Sequence, residues 1–358
     1  MLDYISYILF FGILIIILIY AYIRIKYGFW VIQPVFHVYD FKYMFNPPGI
    51  IDDYLPEKNK YTNFKNIDTT IYAELNQIQK QRLTKLIQHN YLQRGENTFM
   101  PALKNIEPYF IGHNDKSFVS FYTEPNTLID LKKGTTISDA KIIGIMTSRP
   151  LYITINNANS NKSKFRAYYV DYLCVDKEYR KKGIAPQLIQ THHYNQRHIN
   201  KNIVVSLFKR EEELTGIVPL CVYDTYGFSV TTWTKPPELS AEYKLVEVNQ
   251  QNFHILYDFI LEHSHKFDII INTEVSNIIE LIKTQNIFIN MIIVDNAIVA
   301  VYMFRKSCVQ IEKGMEVLSC FASICNMDEK IFCQGFKISF WKIAAENYFG
   351  FCAIEDIS

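Results

Sequence analysis

Apolar and polar positions divide the chain into one uninterrupted apolar run, an irregular stretch, and two successive series of short periodic segments. The run covers residues 4–23 and carries no charge, and about 20 such residues is the length a bilayer-spanning helix requires. A helix of a soluble protein would show a polar face, and nothing polar breaks this one. A secretory signal would carry a basic head and a small-residue cleavage site, whereas Asp3 precedes the run and Tyr20-Ala21-Tyr22 closes it. Residues 1–26 are therefore expected to form an uncleaved anchor. Positive charge follows at Arg24 and Lys26, which places the globular part on the cytoplasmic side.

Residues 29–60 contain prolines and no clear period. Leu75, Ile78, Leu83, Leu86 and Ile87 then share one helical face, ending near His89-Asn90-Tyr91. Strands are expected at 118–122, 142–146, 152–155 and 167–175, with turn residues between them. A strand-to-helix turn at 180–186 leads to a helix reaching about His198 and a strand at 203–208. After the Pro236-Pro237 break a fainter series of the same order follows. It has helices at 253–262 and 275–282, strands at 291–294, 298–304 and 317–324, a helix at 334–346 and a strand at 349–354. Sequential strands with a helix crossing over imply mixed α/β sheets, and the repeat implies two halves, 27–235 and 236–358.

Composition narrows the function less than pattern does. The 358 residues include 37 basic and 36 acidic ones, so the net charge of +1 gives no global attraction to nucleic acid, and any phosphate recognition must be local. The seven cysteines, Cys174, Cys221, Cys308, Cys320, Cys325, Cys333 and Cys352, never stand as C-x-x-C and read as reduced core thiols. His192-His193 has no partners spaced for a metal and reads as a solvated helix pair, so no metal is expected.

The most informative segment is DYLCVDKEYRKKGIAPQLI, residues 171–189. Arg180, Lys181, Lys182, Gly183, Ile184 and Ala185 fit the R-x-x-G-x-A pattern of acetyltransferase-type acyl-CoA enzymes. Small residues let backbone curl around an anion, the amides at a helix start meet its phosphates, and the flanking cations add attraction. Read alone, the same residues also fit a helix entry with solvated lysines.

The segment resembles the strand-loop-helix of the N-myristoyltransferases, written F-L-C-V-x-x-x-x-R-x-K-R-L-A-P-x-L-I. Tyr172, Leu173, Cys174 and Val175 stand for F-L-C-V, and Arg180, Lys182, Ala185, Pro186, Leu188 and Ile189 also match, while Gly183 replaces an arginine. Tyr27, Gly28, Phe29, Trp30, Gln33, Pro34 and Val35 resemble that family's Y-x-F-W-x-T-Q-P-V entry signature. Weaker matches are Leu86 to Tyr91 with L-L-x-E-N-Y, and Ile142-Ile143-Gly144-Ile145 with L-V-G-F.

The resemblance implies two tandem acetyltransferase-like (GNAT) halves behind the transmembrane helix. It implies transfer of a myristoyl group from myristoyl-CoA, as donor substrate, to the N-terminal glycine amine of a protein or peptide. Backbone amides of Tyr172 and Leu173 would receive the charge that develops on the thioester oxygen. Tyr27 to Trp30 would lie over the nucleotide end of the acyl-CoA. On the acceptor side the matches thin out. Of the family's L-P-x-P-V-x-x-C-R-Y-W-H-R stretch only Leu214, Val218, Cys221 and Tyr223 remain, and Gln93-Arg94-Gly95-Glu96 replaces an acidic run. The family takes the amine proton with its own C-terminal carboxylate. Here the sequence ends at Asp356-Ile357-Ser358, and Asp171, Asp224 and Glu211 are the nearby carboxylates that could take it. Two other readings stay open: a membrane-bound acyl-CoA- or lipid-binding protein without turnover, and a tethered acetyltransferase of short acyl-CoA.

The apolar run and its basic flank predict a single span with a cytoplasmic domain. Protease added to the cytoplasmic face of sealed vesicles should digest the domain. Digestion only after the vesicles are opened would reverse this topology.

Overall fold

The computed structural model describes residues 2–26, 28–46, 50–93, 97–130, 135–156, 162–210, 216–311 and 314–357. Tyr27, Arg94, Gly95, Glu96, Glu211, Leu214 and Ser358 of the sequence reading lie outside the described residues. The chain divides into two units.

The first unit comprises Met1–Tyr54 and Arg210–Val222. Its main element is α1 (Leu2–Lys26), an apolar helix whose side chains are exposed almost throughout. Among the described residues it is the one helix long and apolar enough to cross a membrane. A helical turn, α2 (Phe41–Phe45), follows. A short antiparallel bridge joins His37 to Ile217, with the Val218 amide on the Phe36 carbonyl at 2.7 Å.

The second unit, Leu55–Lys209 with Tyr223–Ser358, holds two sheets. It opens with β1 (Ile67–Ile71), α3 (Gln77–Asn90), the two-residue β2 (Thr98–Phe99) and α4 (Leu103–Ile106). An antiparallel meander of β3 (Phe118–Asp130), β4 (Thr135–Asn156) and β5 (Lys162–Val175) follows. Helix α5 (Ile184–Ile199) then crosses to β6 (Val205–Phe208), which runs parallel to β5. Next come β7 (Thr225–Ser229), β8 (Lys244–Glu247), α6 (Phe253–Glu262), β9 (Ile269–Asn272) and α7 (Val275–Lys283). The order then repeats. Strands β10 (Ile287–Val294), β11 (Ala297–Ile311) and β12 (Met315–Cys325) form a meander, and α8 (Glu329–Asn347) crosses to β13 (Phe349–Glu355), parallel to β12.

The sheets run β1-β3-β4-β5-β6 and β7-β13-β12-β11-β10-β8. They are stitched together, because β9 adds to β4 of the first sheet and β2 to β11 of the second. The mixed α/β architecture with two sheets of repeated order is the expected one. Details differ. The strands expected at 142–146 and 152–155 are one strand, β4. Its Pro150 sits where β3 has ended, at Ser148, and β9 has not begun, at Tyr152, so a missing N–H is tolerated there. Strands β1, β2, β7, β8 and β9, unforeseen, are five residues or fewer and lie at margins; all five residues of β7 are exposed, so no alternation marks it.

Helix α5 packs on β3, β4 and β5 through Ile184 and Leu188. The approach requires Gly144, since a Cβ there would stand 2.9 Å from Leu188 Cδ1. The cysteines are free thiols, but Cys221 and Cys333 are exposed rather than in the core. His192 is likewise not solvated but fully buried beneath α5. Its ring lies between Ser120 Oγ on Nδ1 and Ser148 Oγ on Nε2, both at 2.8 Å. Ser148 gives its one proton to Gln196 Oε1 at 2.7 Å, so Nε2 must be the ring's donor and Nδ1 its acceptor. A second ring proton, on Nδ1, would force the Ser120 hydroxyl to stop donating to the ring and turn to Thr69 Oγ1, 2.7 Å away. Burial, with a smaller contribution from His193, accordingly lowers His192 to about 3.

A histidine whose folded pKa lies below its unfolded value of 6.5 contributes stability that is fully present above 6.5 and lost as pH falls toward 3. Comparing chemical denaturation across that window, His192→Leu should remove up to about 1.4 kcal/mol per pH unit from the wild-type acid slope. An unchanged slope would mean the ring protonates freely in the folded chain.

Candidate active site

The site begins with one extra residue. Strand β5 pairs with β4 in one register up to Ser148↔Val170 and resumes at Met146↔Leu173, so three steps along β5 match two along β4. The extra residue is a β-bulge at Asp171-Tyr172, opposite Thr147. Before it, Val170 packs toward α5; after it, so do Leu173 and Val175. Asp171 and Tyr172 in succession therefore face the other way, where Tyr172 meets Tyr91 and Phe99, with ring centroids 5.4 and 6.2 Å away. The bulge is held by the Tyr172 amide on Thr147 Oγ1 at 3.1 Å and by the Tyr91 hydroxyl on the Asp171 carbonyl at 3.3 Å.

The bulge also opens a gap. Parallel pairing of β5 with β6 ends at Val170↔Phe208, and β5 runs on to Val175 with β4 on one side and, among the described residues, no strand on the other. Asp176 donates its amide to the Ile143 carbonyl at 2.8 Å. Antiparallel alternation then turns the amides of Leu173 and Val175 away from β4, into the space β6 has left. Of the two amides expected to stabilise an oxyanion, Leu173's points into the gap and Tyr172's is engaged by Thr147.

Beyond β5 the chain enters α5 through Lys181 and Gly183, both with positive φ, 64° and 74°. Gly183 is the N-cap and brings no side chain to the first-turn amides. Pro186 has no amide, and those of Ile184 and Ala185 have no intrahelical acceptor. A Cβ on Gly183 would meet nothing within 4 Å, so the cradle is open. Lys181 and Lys182 are exposed, Lys182 Nζ lying 4.6 Å from the Tyr179 ring centroid. Arg180 behaves differently. Its guanidinium turns back to the carbonyls of Val175, at 3.2 Å, and Asn90, at 2.5 Å, tying the loop to the end of α3. Cys174 is buried, and burial pushes its thiol to about 12, so it fills space rather than reacting.

On the face opposite α5 lies a cluster that sequence reading missed. Arg149 Nε reaches both oxygens of Asp171, at 3.1 and 3.0 Å, and its guanidinium lies 5.4 Å from the ring centroids of Tyr109 and of Tyr169. Side chains of the pair are only 12% and 13% exposed. Burial raises the Asp171 carboxyl above its ordinary value, against the opposing pull of Arg149 and Arg305. Glu355, near the end of β13, pairs with Arg305 of β11 and with Lys209, 3.4 Å away just beyond β6. Arg149, Arg305 and Glu355 are far apart in sequence, and no spacing links them. Of the three candidate proton acceptors, Asp171 joins this cluster and Glu211 lies outside the described residues. Asp224 is exposed, and its amide and carbonyl bond to Asp356.

Tyr172, Leu173, Cys174, Val175 and the loop from Arg180 to Ala185 are thus contiguous in the second unit. Gly28, Phe29 and Trp30 belong to the first, where Phe29 and Trp30 stack edge to face at 5.1 Å.

Residues 56–221 match the family described as Myristoyl-CoA:protein N-myristoyltransferase, N-terminal domain. No curated protein matches the sequence. Among solved structures, that of Saccharomyces cerevisiae N-myristoyltransferase with bound myristoyl-CoA is similar at 13% identity and a TM-score of 0.66, over 92% of this chain and 86% of that one. A second structure of the yeast enzyme, with bound myristoyl-CoA and inhibitors, gives 12% and 0.63 over 92% and 83%. A tandem GNAT protein from the clavulanic acid biosynthesis pathway gives 8% and 0.52 over 82% and 90%. At these identities the likeness is one of fold.

The inward turn of Arg180 separates it from its neighbours. Arg180→Met should lower unfolding stability by roughly 1 kcal/mol without any ligand, through the two carbonyls it abandons. Lys181→Ala should change it by less than about 0.5 kcal/mol. Denaturant titration decides, and equal effects would remove the clamp.

Proposed function

We propose that this divergent relative of the N-myristoyltransferases transfers a long-chain acyl group of the myristoyl class from acyl-CoA to the N-terminal glycine amine of a protein, while α1 anchors it in a membrane. One observation carries the reading. The gap between β5 and β6, lined by the amides of Leu173 and Val175, leads to the uncapped start of α5 with Lys181 and Lys182 beside it. An extended pantetheine fits the first as an added strand fits an edge, and a pyrophosphate fits the second. The family match over residues 56–221 supports the same donor. The Leu173 amide would stabilise the thioester oxygen as charge builds on it, and an amide of that kind is worth about 3 kcal/mol of barrier.

One observation favours a second reading, an acyl-CoA-binding protein with little turnover: the Tyr172 amide is already bound to Thr147. Loss of one oxyanion donor costs about 10²–10³ in rate.

The full chain in detergent should bind myristoyl-CoA by calorimetry. Mass spectrometry of an N-terminal-glycine peptide should then show acyl transfer. Binding without transfer would select the second reading, and absence of both would reject the assignment. Gly183→Val should weaken acyl-CoA binding roughly tenfold or more. A β-branched residue resists the 74° φ, and its side chain would occupy the open space of the cradle. Unchanged affinity would move the phosphates elsewhere.

A further inference from the structure

Resting on the acyl-transfer reading, we propose that the carboxylate of Asp171 takes the proton from the acceptor ammonium, and that Arg149 positions it. Asp171 stands two residues before Leu173 on one strand, at the bulge that turns the Leu173 amide into the gap and next to the point where β6 pairing ends. No other carboxylate among the described residues is built into the bulge itself. Its side chain faces away from α5, toward the second sheet, so donor and acceptor can approach β5 from different sides.

The surroundings suit a base rather than a spectator ion pair. Arg149 contacts the carboxylate through Nε alone, shared between the two oxygens, which leaves each with a lone pair for an incoming N–H. The groups around it are Arg149 from β4, Arg305 from β11, Tyr169 and Tyr172 of its own strand and Tyr109 from the turn after α4. Burial pushes Tyr169 to about 12 and raises Tyr109, so both phenols stay neutral near pH 7. Burial also raises Asp171, moving it toward the amine it must deprotonate, whose ordinary pKa is about 8. Arg149, Arg305 and Lys209 together outnumber Asp171 and Glu355, so a neutral amine is favoured over an ammonium beside them.

An ammonium proton passes to Asp171, and the freed lone pair forms a bond to the thioester carbonyl carbon. The C–S bond then breaks as the amide forms. The departing thiolate takes a second proton from the same nitrogen, and Asp171 returns its proton to solvent.

The test uses the full chain in detergent, myristoyl-CoA and an N-terminal-glycine peptide. Asp171→Asn should bind myristoyl-CoA as the wild type does and lower kcat/KM about 10²–10⁴-fold at pH 7. Its rate should climb again as pH passes about 8, where the peptide amine deprotonates unaided. Asp171→Asn/Arg149→Gln, which leaves no buried cation unpaired, should show the same loss and the same profile if the single variant fails to fold. A wild-type rate and pH profile in either variant would overturn the assignment of Asp171 and leave acyl transfer standing. A wild type that transfers no acyl group would overturn the reading beneath it.

Discussion

The bulge at Asp171-Tyr172 is the constraint on which the rest of the site depends. In an unbroken strand, side chains alternate, and Tyr172 would fall on the α5 face with Leu173 turned toward Tyr91 and Phe99. One extra residue reverses that. It turns the Leu173 amide from the ladder into the gap and seats Tyr172 among aromatic rings, on the face where Asp171 already lies beside Arg149. The bonds from Tyr172 to Thr147 and from Tyr91 to Asp171 replace the ladder bonds that the bulge costs.

Two kinds of electrostatics meet at this strand. Along its free edge and at the start of α5 stand backbone amides and exposed lysines, groups that can hold an anion without burying a charge. On the opposite face Asp171, Arg149, Arg305, Glu355 and Lys209 are drawn partly out of water, where each charge is costly unless paired. Apolar residues of similar volume could fill such a junction at no greater cost. The Ser120-His192-Ser148 network beneath α5 is the contrast: it is uncharged, and it runs on through hydrogen bonds to Thr69 at one end and Gln196 at the other.

Much of this was legible in the residues. The apolar run of α1, the long strands and helices of both halves, and the turn from β5 into α5 follow from local period and turn chemistry, which depend only on neighbours a few positions away. The marginal strands were not legible, because a short strand at a sheet's edge buries too little to impose a pattern. Nor was the fate of His192, which a helix can present either to water or to a neighbour, and which only the serines of β3 and β4 reveal as buried.

The sequence by itself determined the anchor-like run, the α/β order and the strand-loop-helix from Tyr172 to Ala185, since each is contiguous and its physics is local. The tertiary structure decided what those residues do. It turned Arg180 inward onto two carbonyls, engaged the Tyr172 amide with Thr147, and set Asp171 against Arg149 while leaving Asp224 exposed. Those outcomes hang on a register shift between two strands and on partners up to 90 positions away, in the case of Arg180 and Asn90. A bulge and a buried ion pair are settled by what packs against them, and no residue carries that information alone.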